Sequence, residues 1–243
     1  MIDIHSHILP GLDDGSKSFE ESLEMLRMAY GQGVRKVIAT PHLSPLFRRY
    51  GKSDALRLFS ELVKRTKETE EFEDLTLYLG QEIFWCEDTW RAMQEGEILT
   101  MAGSSYVLIE FHPEEAFYEI TRAVRETVTL GYIPLIAHVE RFSALRDMSR
   151  IKEIRGLGGR IQMNLGSISG KLLDRRAAYC RRILKKRLVD AVGTDMHDTE
   201  ARRPRCEKAV AWISKHLDSG YAGALLKDNG ERILGDSRIF GYG

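Results

Sequence analysis

Seven times along the chain a short β-branched or apolar run gives way to a longer stretch of helical character. That alternation constrains the fold more than any other feature. The runs are Ile2–Ile4, Lys36–Ala39, Thr76–Leu79, Val107–Ile109, Ile133–Ala137, Ile161–Met163 and Val189–Val192. Each is short and largely apolar, as strands buried on both faces of a parallel sheet are. Between them, Ser18-Phe19-Glu20-Glu21 has the hydroxyl and carboxylate spacing of a capping box. It opens a helix that places Leu23, Leu26, Ala29 and Tyr30 on one side and stops at Gly33. Further helices are predicted over Asp54–Thr69, Glu114–Leu130, Ser149–Leu157, Arg175–Lys186 and Arg205–His216, with a shorter one around Trp90–Glu95. The expected architecture is α/β: a distorted TIM-like (β/α)7 barrel, one strand short of the familiar eight. At 243 residues the chain has the length of a single barrel domain, about 250 residues, spanning 1–243. No G-x-G-x-x-G follows any strand, so an open dinucleotide-binding sheet lacks its main support.

Charge excludes several partners. Lys plus Arg and Asp plus Glu both number 36, so no global field draws in nucleic acid or an anionic membrane. No apolar run approaches the roughly 18 residues that membrane insertion requires. The first residues carry neither the basic nor the apolar region of a signal peptide. Cys86, Cys180 and Cys206 are odd in number and far apart, which suits a reducing compartment and leaves the cytoplasm as the expectation.

In a βα barrel the chemistry sits just past the C-terminal ends of the strands. Reading there gives His5, His7, Asp13 and Asp14, then His42, Glu82, Glu110, His138 and Arg141, Asn164, and finally Asp195 and His197. Five of the seven histidines fall at strand ends, while His112 and His216 read as structural or surface residues. A lone strand-end histidine is more often a satisfied polar group than a ligand. Many imidazoles and carboxylates on different strands are better explained by divalent cations. His5-x-His7 and Asp195-x-His197 each send two side chains to one side of an extended segment. His5, His7, Asp14, His42, Glu82, Glu110, His138, Asp195 and His197 are nine donors, too many for one tetrahedral ion and enough for two or three. Asp13 is the weaker of its pair, since one of the two could cap the following turn. The ligand types admit manganese, iron, cobalt or zinc.

The segment Asp3-Ile4-His5-Ser6-His7-Ile8-Leu9-Pro10-Gly11-Leu12-Asp13-Asp14-Gly15 resembles the bacterial capsule-regulating tyrosine phosphatases of the polymerase-and-histidinol-phosphatase superfamily. Thr40-Pro41-His42, Gly80-Gln81-Glu82, Ile109-Glu110, His138-Val139-Glu140-Arg141 and Thr194-Asp195-Met196-His197 follow in the family's order, over about the first 205 residues. The resemblance implies a distorted (β/α)7 barrel with a trinuclear centre, manganese being favoured. It implies His5, His7, Glu82 and Asp195 around one metal and Glu82, Glu110 and His138 around a second, with Glu82 as the bridge. Asp14, His42 and His197 would hold the third. Arg141 and Arg202 match the family's phosphate-binding arginines, with Arg203 as the alternative register for the latter. The implied substrate is a phosphotyrosine protein, the Tyr-rich tail of a capsule or exopolysaccharide tyrosine kinase. A phenol of pKa about 10 leaves with less proton assistance than an alkoxide, which favours aryl phosphates.

Rival chemistries fare worse. Six residues after the cysteines stand Ala92, Lys186 and Trp212, so no C-x5-R phosphatase loop exists. Gly51-Lys52-Ser53 resembles the end of a P-loop, but the glycine required five positions earlier is Leu46. Within the superfamily the alternative is a histidinol-phosphate or other small phosphomonoester phosphatase. A different class, a non-catalytic regulator, would use the basic segment Arg175, Arg176, Arg181, Arg182, Lys185, Lys186 and Arg187, which more simply reads as a solvated helix face. The sequence carries no signal for oligomeric state.

Overall fold

The apolar runs form parallel strands in a computed structural model that describes residues 1–47, 50–170 and 173–239. The strands are β1 (Ile2–Ser6), β2 (Lys36–Ala39), β3 (His42–Leu43), β4 (Thr76–Leu79), β5 (Glu82–Phe84), β6 (Tyr106–Glu110), β7 (Ile133–Ile136), β8 (Arg160–Asn164) and β9 (Ala191–Gly193). Two of the expected seven runs are therefore each continued by a second, shorter strand. Pro41 has no N–H to donate to a ladder, so the second stave breaks between β2 and β3. The third breaks at Gly80-Gln81, where a Cβ on Gly80 would stand 3.2 Å from the Met101 backbone and sulfur. The hydrogen-bonded orders β1-β2-β4 and β3-β5-β6-β7-β8-β9 still trace seven staves around a barrel, all paired parallel.

The barrel closes between its first and last staves. Ser6 and Met196 form a parallel bridge, His7 N–H donates to Met196 O at 2.9 Å, and Asp195 N–H donates to His5 O at 2.8 Å. Below this seam the buried Asp3 carboxylate accepts from Thr194 N–H at 2.8 Å and from the Thr194 hydroxyl. A Cβ on Gly193 would stand 2.7 Å from His5 Cβ, so only glycine lets β9 approach β1 this closely.

Around the staves lie α1 (Phe19–Gly31), α2 (Lys52–Lys67), α3 (Glu87–Gln94), α4 (Phe117–Thr129), α5 (Met148–Gly156), α6 (Leu165–Ile168), α7 (Arg175–Lys185), α8 (Glu207–His216), α9 (Ser219–Gly223) and α10 (Asn229–Leu234). Ser18 caps α1 as expected, its Oγ accepting from Glu21 N–H at 3.2 Å. α4 starts at Phe117 rather than Glu114, because His112 O accepts from Glu115 N–H and closes a turn there first.

A segment that the periodicity did not anticipate seals the bottom. A π-helical stretch at Ala224–Asp228 joins α9 to α10, and Ile233 and Ile239 complete a buried cluster with Ile2, Ile4, Ile38, Leu108 and Leu135. The Tyr106 hydroxyl donates to Ser237 O and accepts from Ile239 N–H, both at 2.9 Å, while Lys36 pairs with Glu231 at 2.7 Å. The C-terminal segment is thus a plug across the N-terminal ends of the strands. Ile233→Ala should lower unfolding stability by about 2–5 kcal/mol, the cost of a cavity in a close-packed cluster. An unchanged urea midpoint would show that the plug contributes nothing to the barrel.

Candidate metal centre

The site begins with strand alternation. On β1 and just beyond it, Asp3, His5 and His7 are two residues apart, so they project to one side. Asp3 ties the seam, and the two imidazoles rise above it. Register supplies their partners. His42 on β3 lies directly opposite Glu82 on β5, and Glu110 on β6 lies opposite Phe84. His138 and Asp195 follow β7 and β9 with φ of +28° and +53°, in the left-handed region that costs a non-glycine residue energy.

Three overlapping clusters result. In the first, His5 Nε2 and His7 Nε2 lie 3.2 Å apart, 3.0 and 3.1 Å from Glu82 Oε2, and each 3.5 Å from Asp195 Oδ1. Ligands about 2.1 Å from a shared cation stand roughly 3.0–3.4 Å from one another, which is the spacing found here. In the second, Glu82 Oε1 lies 2.8 Å from His138 Nε2, while Glu110 lies 2.9 Å from His42 Nδ1 and 3.6 Å from His138 Nε2. In the third, Asp14 Oδ1 is 3.3 Å from His197 Nε2 and 3.6 Å from His42 Nε2. All nine donors read from the sequence thus converge on one mouth. The grouping differs from the expected one: His42, not His138, forms the compact second group with Glu82 and Glu110, His138 adjoins it through Glu82 Oε1, and His7 also sits with Asp14, His42 and His197.

The donor set fits divalent ions. Glu82 Oε2, His42 Nδ1 and His197 Nε2 are buried and make no hydrogen bond, although charged neighbours crowd them. Buried polar atoms are normally satisfied, so several orphans pointing into one space mark a place for cations. The carboxylates favour positive charge throughout. Burial and the neighbouring Arg141 oppose protonation of His138, yet hydrogen bonds to Glu110 and Glu82 outweigh them and raise its pKa to about 9. Burial works against ionised Glu82, but His5, His42 and His138 hold its carboxyl well below the usual range. At His197 burial and the adjacent His7 prevail and lower the pKa to about 4, leaving a neutral ring with an available lone pair.

Sequence reasoning undervalued the residues that orient these rings. Asp13 Oδ2 accepts from His7 Nδ1 and from His42 N–H, both at 2.8 Å, and Oδ1 accepts from Gly15 N–H. Asp13 therefore caps the turn and also fixes the His7 tautomer, turning Nε2 to the cluster. His197 Nδ1 is fixed in the same way by Asp195 O at 2.9 Å. From β8, Asn164 Nδ2 donates to Asp195 Oδ2 at 2.7 Å, and Gln162 Oε1 lies 3.5 Å from His5 Nδ1. The two-residue spacing of Gln162 and Asn164, polar in a buried strand, was the available signal. Glu140 is buried and accepts from Ser167 Oγ at 2.7 Å, bracing α6 directly after β8.

Both arginines reach the mouth. Arg141 Nη2 donates to Asp195 Oδ2; Arg202 donates to Asp14 Oδ2 at 2.9 Å and to Asp195 Oδ1 at 3.3 Å. Arg203 instead lines a separate groove with Met28 and Gln32, so Arg202 is the one of the pair that reaches the mouth. His112 and His216 stay outside the centre: His112 Nδ1 accepts from Glu114 N–H, and His216 stacks on Trp212.

The chain is 33% identical to the tyrosine-protein phosphatase CpsB of Streptococcus pneumoniae, over 98% of this chain and 100% of the relative. It is 30% identical to the tyrosine-protein phosphatase YwqE of Bacillus subtilis (strain 168), over 99% of this chain and 94% of the relative. A solved structure from work on YwqE and CpsB, described as unique metal-dependent tyrosine phosphatases, superposes with a TM-score of 0.91 at 29% identity, covering 99% and 97% of the two chains. An organophosphorus hydrolase of Deinococcus radiodurans shares the fold alone, with a TM-score of 0.62, 11% identity and 96% and 92% of the two chains covered. Residues 1–235 match the family described as capsular polysaccharide synthesis, CpsB/CapC, and the chain belongs to that family.

Proposed function

We propose that this protein is a metal-dependent protein-tyrosine phosphatase, acting as one phosphatase domain. One observation carries the reading: nine nitrogen and oxygen donors and two arginines meet at the C-terminal mouth of a barrel in a family whose relatives are named tyrosine phosphatases. Two to three divalent ions fit the three clusters, with His5, His7, Glu82 and Asp195 holding one. Glu82, Glu110 and His138 would hold a second and Asp14, His42 and His197 a third. Manganese is our choice among manganese, iron, cobalt and zinc, on family resemblance and a donor set without thiolate. Such ions, when bound, acidify water toward neutral pH and offset charge on phosphoryl oxygens.

The chain's own groups do the rest. Arg141 and Arg202 are about one-third exposed, at 34% and 37%, so they keep N–H donors for the non-bridging phosphate oxygens while Asp195 and Asp14 anchor their other edges. A planar fork suits that task better than an ammonium. Glu82 spans the first two clusters and sets their separation. Asp13, Asn164 and Asp195 O hold the donors in register before substrate arrives, so little reorganisation opposes the reaction. The phenolate of tyrosine departs without a strong acid, consistent with a preference for aryl esters. We assign as substrate a phosphotyrosine protein, the tail of a capsule or exopolysaccharide tyrosine kinase. The three unpaired cysteines support a cytoplasmic location. Among the described residues no helix is long and apolar enough to cross a membrane.

Chelation should abolish hydrolysis of a phosphotyrosine peptide and manganese should restore it; full activity after exhaustive demetallation would refute the reading. In the same preparations, Glu82→Ala should lower bound metal by more than His42→Ala, read by plasma emission, because Glu82 touches two clusters. A tyrosine-phosphorylated peptide should show the higher kcat/KM against histidinol phosphate. A tenfold preference the other way, about 1.4 kcal/mol, would move the assignment to small phosphomonoesters. Finally, Arg141→Ala and Arg202→Ala should each lower kcat/KM by roughly 10²–10³ with metal content retained. Wild-type rates in Arg202→Ala would remove that residue from the site.

A further inference from the structure

Two arginines on one side of the mouth leave open where the rest of the substrate lies. Counted around the barrel, Arg141 follows the fifth stave and Arg202 the seventh. The opposite wall lies between the second and third staves, topped by the loop after β3 and by α3. A cleft of about 290 Å³ opens there, with His42 in its lining and so continuous with the candidate metal centre. That volume is at the lower end of pockets that hold small ligands, and suits one or two peptide residues more than a whole domain.

The cleft has the chemistry of an extended peptide site. Leu43, Pro45 and Ala92 give it apolar walls, and Leu46, next to Pro45, stands 75% exposed. An apolar side chain held in water beside a cleft gains by being covered. Arg91 is 60% exposed and only 3.8 Å from Glu87, a surface pairing too weak to tie it down, so it can donate to a peptide carbonyl. Asp88 and Glu95 line the same cleft, and with Arg91 they give both signs of charge, which favours an uncharged apolar segment over an acidic one. Phe47 stacks on His42 with ring centroids 4.8 Å apart and planes at 18°, an aromatic surface beside the centre.

We propose that this cleft binds the peptide segment flanking the phosphotyrosine, with uncharged apolar residues preferred beside the modified tyrosine. The inference rests on the phosphatase reading above and deepens it. The phosphate meets Arg141 and Arg202, the ring crosses the centre past Phe47, and the backbone leaves over Leu43 and Ala92. The fold then selects for peptide context without a deep pocket for the ring.

Two measurements test it. In manganese-loaded wild-type protein, a peptide carrying difluorophosphonomethyl-phenylalanine, with photoreactive leucine placed on either side in turn, should cross-link to residues 43–46 or to α3. Cross-links confined to other faces would overturn the proposal. In Ala92→Trp, which fills the cleft, the ratio of kcat/KM for a phosphotyrosyl peptide to that for free phosphotyrosine should fall about tenfold. An unchanged ratio in a folded variant would also overturn it, and the cross-linking decides on wild-type protein should the variant not fold. A wild-type protein that hydrolyses phosphotyrosine yet cross-links elsewhere loses only the cleft; one that hydrolyses no phosphotyrosine with any divalent ion loses the phosphatase reading with it.

Discussion

A wholly buried carboxylate, Glu82, sets the terms for everything around it. Its two oxygens lie within 2.8–3.4 Å of ring nitrogens from His5, His7, His138 and His42, drawn from three different staves. An ionised carboxylate away from water is tolerable only among compensating charges, and the loss of one partner leaves the others exposed to the same penalty. The centre is therefore a unit. It also binds the top of the barrel together, because the groups that neutralise Glu82 arrive on strands remote in sequence.

The two ends of the barrel divide the labour. At the bottom, Ile233 and Ile239 close an apolar cluster, and residues there read as stability. At the top, the last stave ends after three residues and Asp195 adopts a positive φ, so the chain gives up regular strand geometry to aim a carboxylate. His138 does the same after β7. Strain of this kind persists only where the surroundings over-determine it. At Asp195 the seam hydrogen bonds between His5, His7, Asp195 and Met196 supply that determination, and at His138 the N–H donates to Gln162 Oε1.

Fold alone would not have identified the chemistry. A hydrolase of organophosphorus compounds shares the fold at 11% identity, and a shared fold by itself assigns no substrate. The chemistry of this chain is carried by its donor set and by the pair of guanidiniums that meet on Asp195. The same carboxylate accepts from Asn164, so a strand with no candidate ligand still tunes the site through one hydrogen bond.

The sequence by itself determined the alternation of strands and helices, the strand-end donors and Arg141. Period-two spacing and strand ends are local properties that a linear reading can see. His5-x-His7 and Asp195-x-His197 were legible for that reason, and Asp14, His42, Glu82, Glu110 and His138 followed from their place after a strand. The breaks at Pro41 and Gly80 were visible as residues but not as interruptions, because a ladder is made by two chains of the sheet and not by one. The C-terminal plug was missed since a π-helical stretch at Ala224–Asp228 interrupts its helical run, so no single 3.6-residue period spans it. Only the tertiary structure decided that Asp13 orients His7, that His42 faces two clusters, that Arg202 rather than Arg203 reaches the mouth, and that a cleft lies across from it. Each of those depends on distances between residues far apart in the chain, which register and barrel closure fix and which no spacing along the sequence encodes.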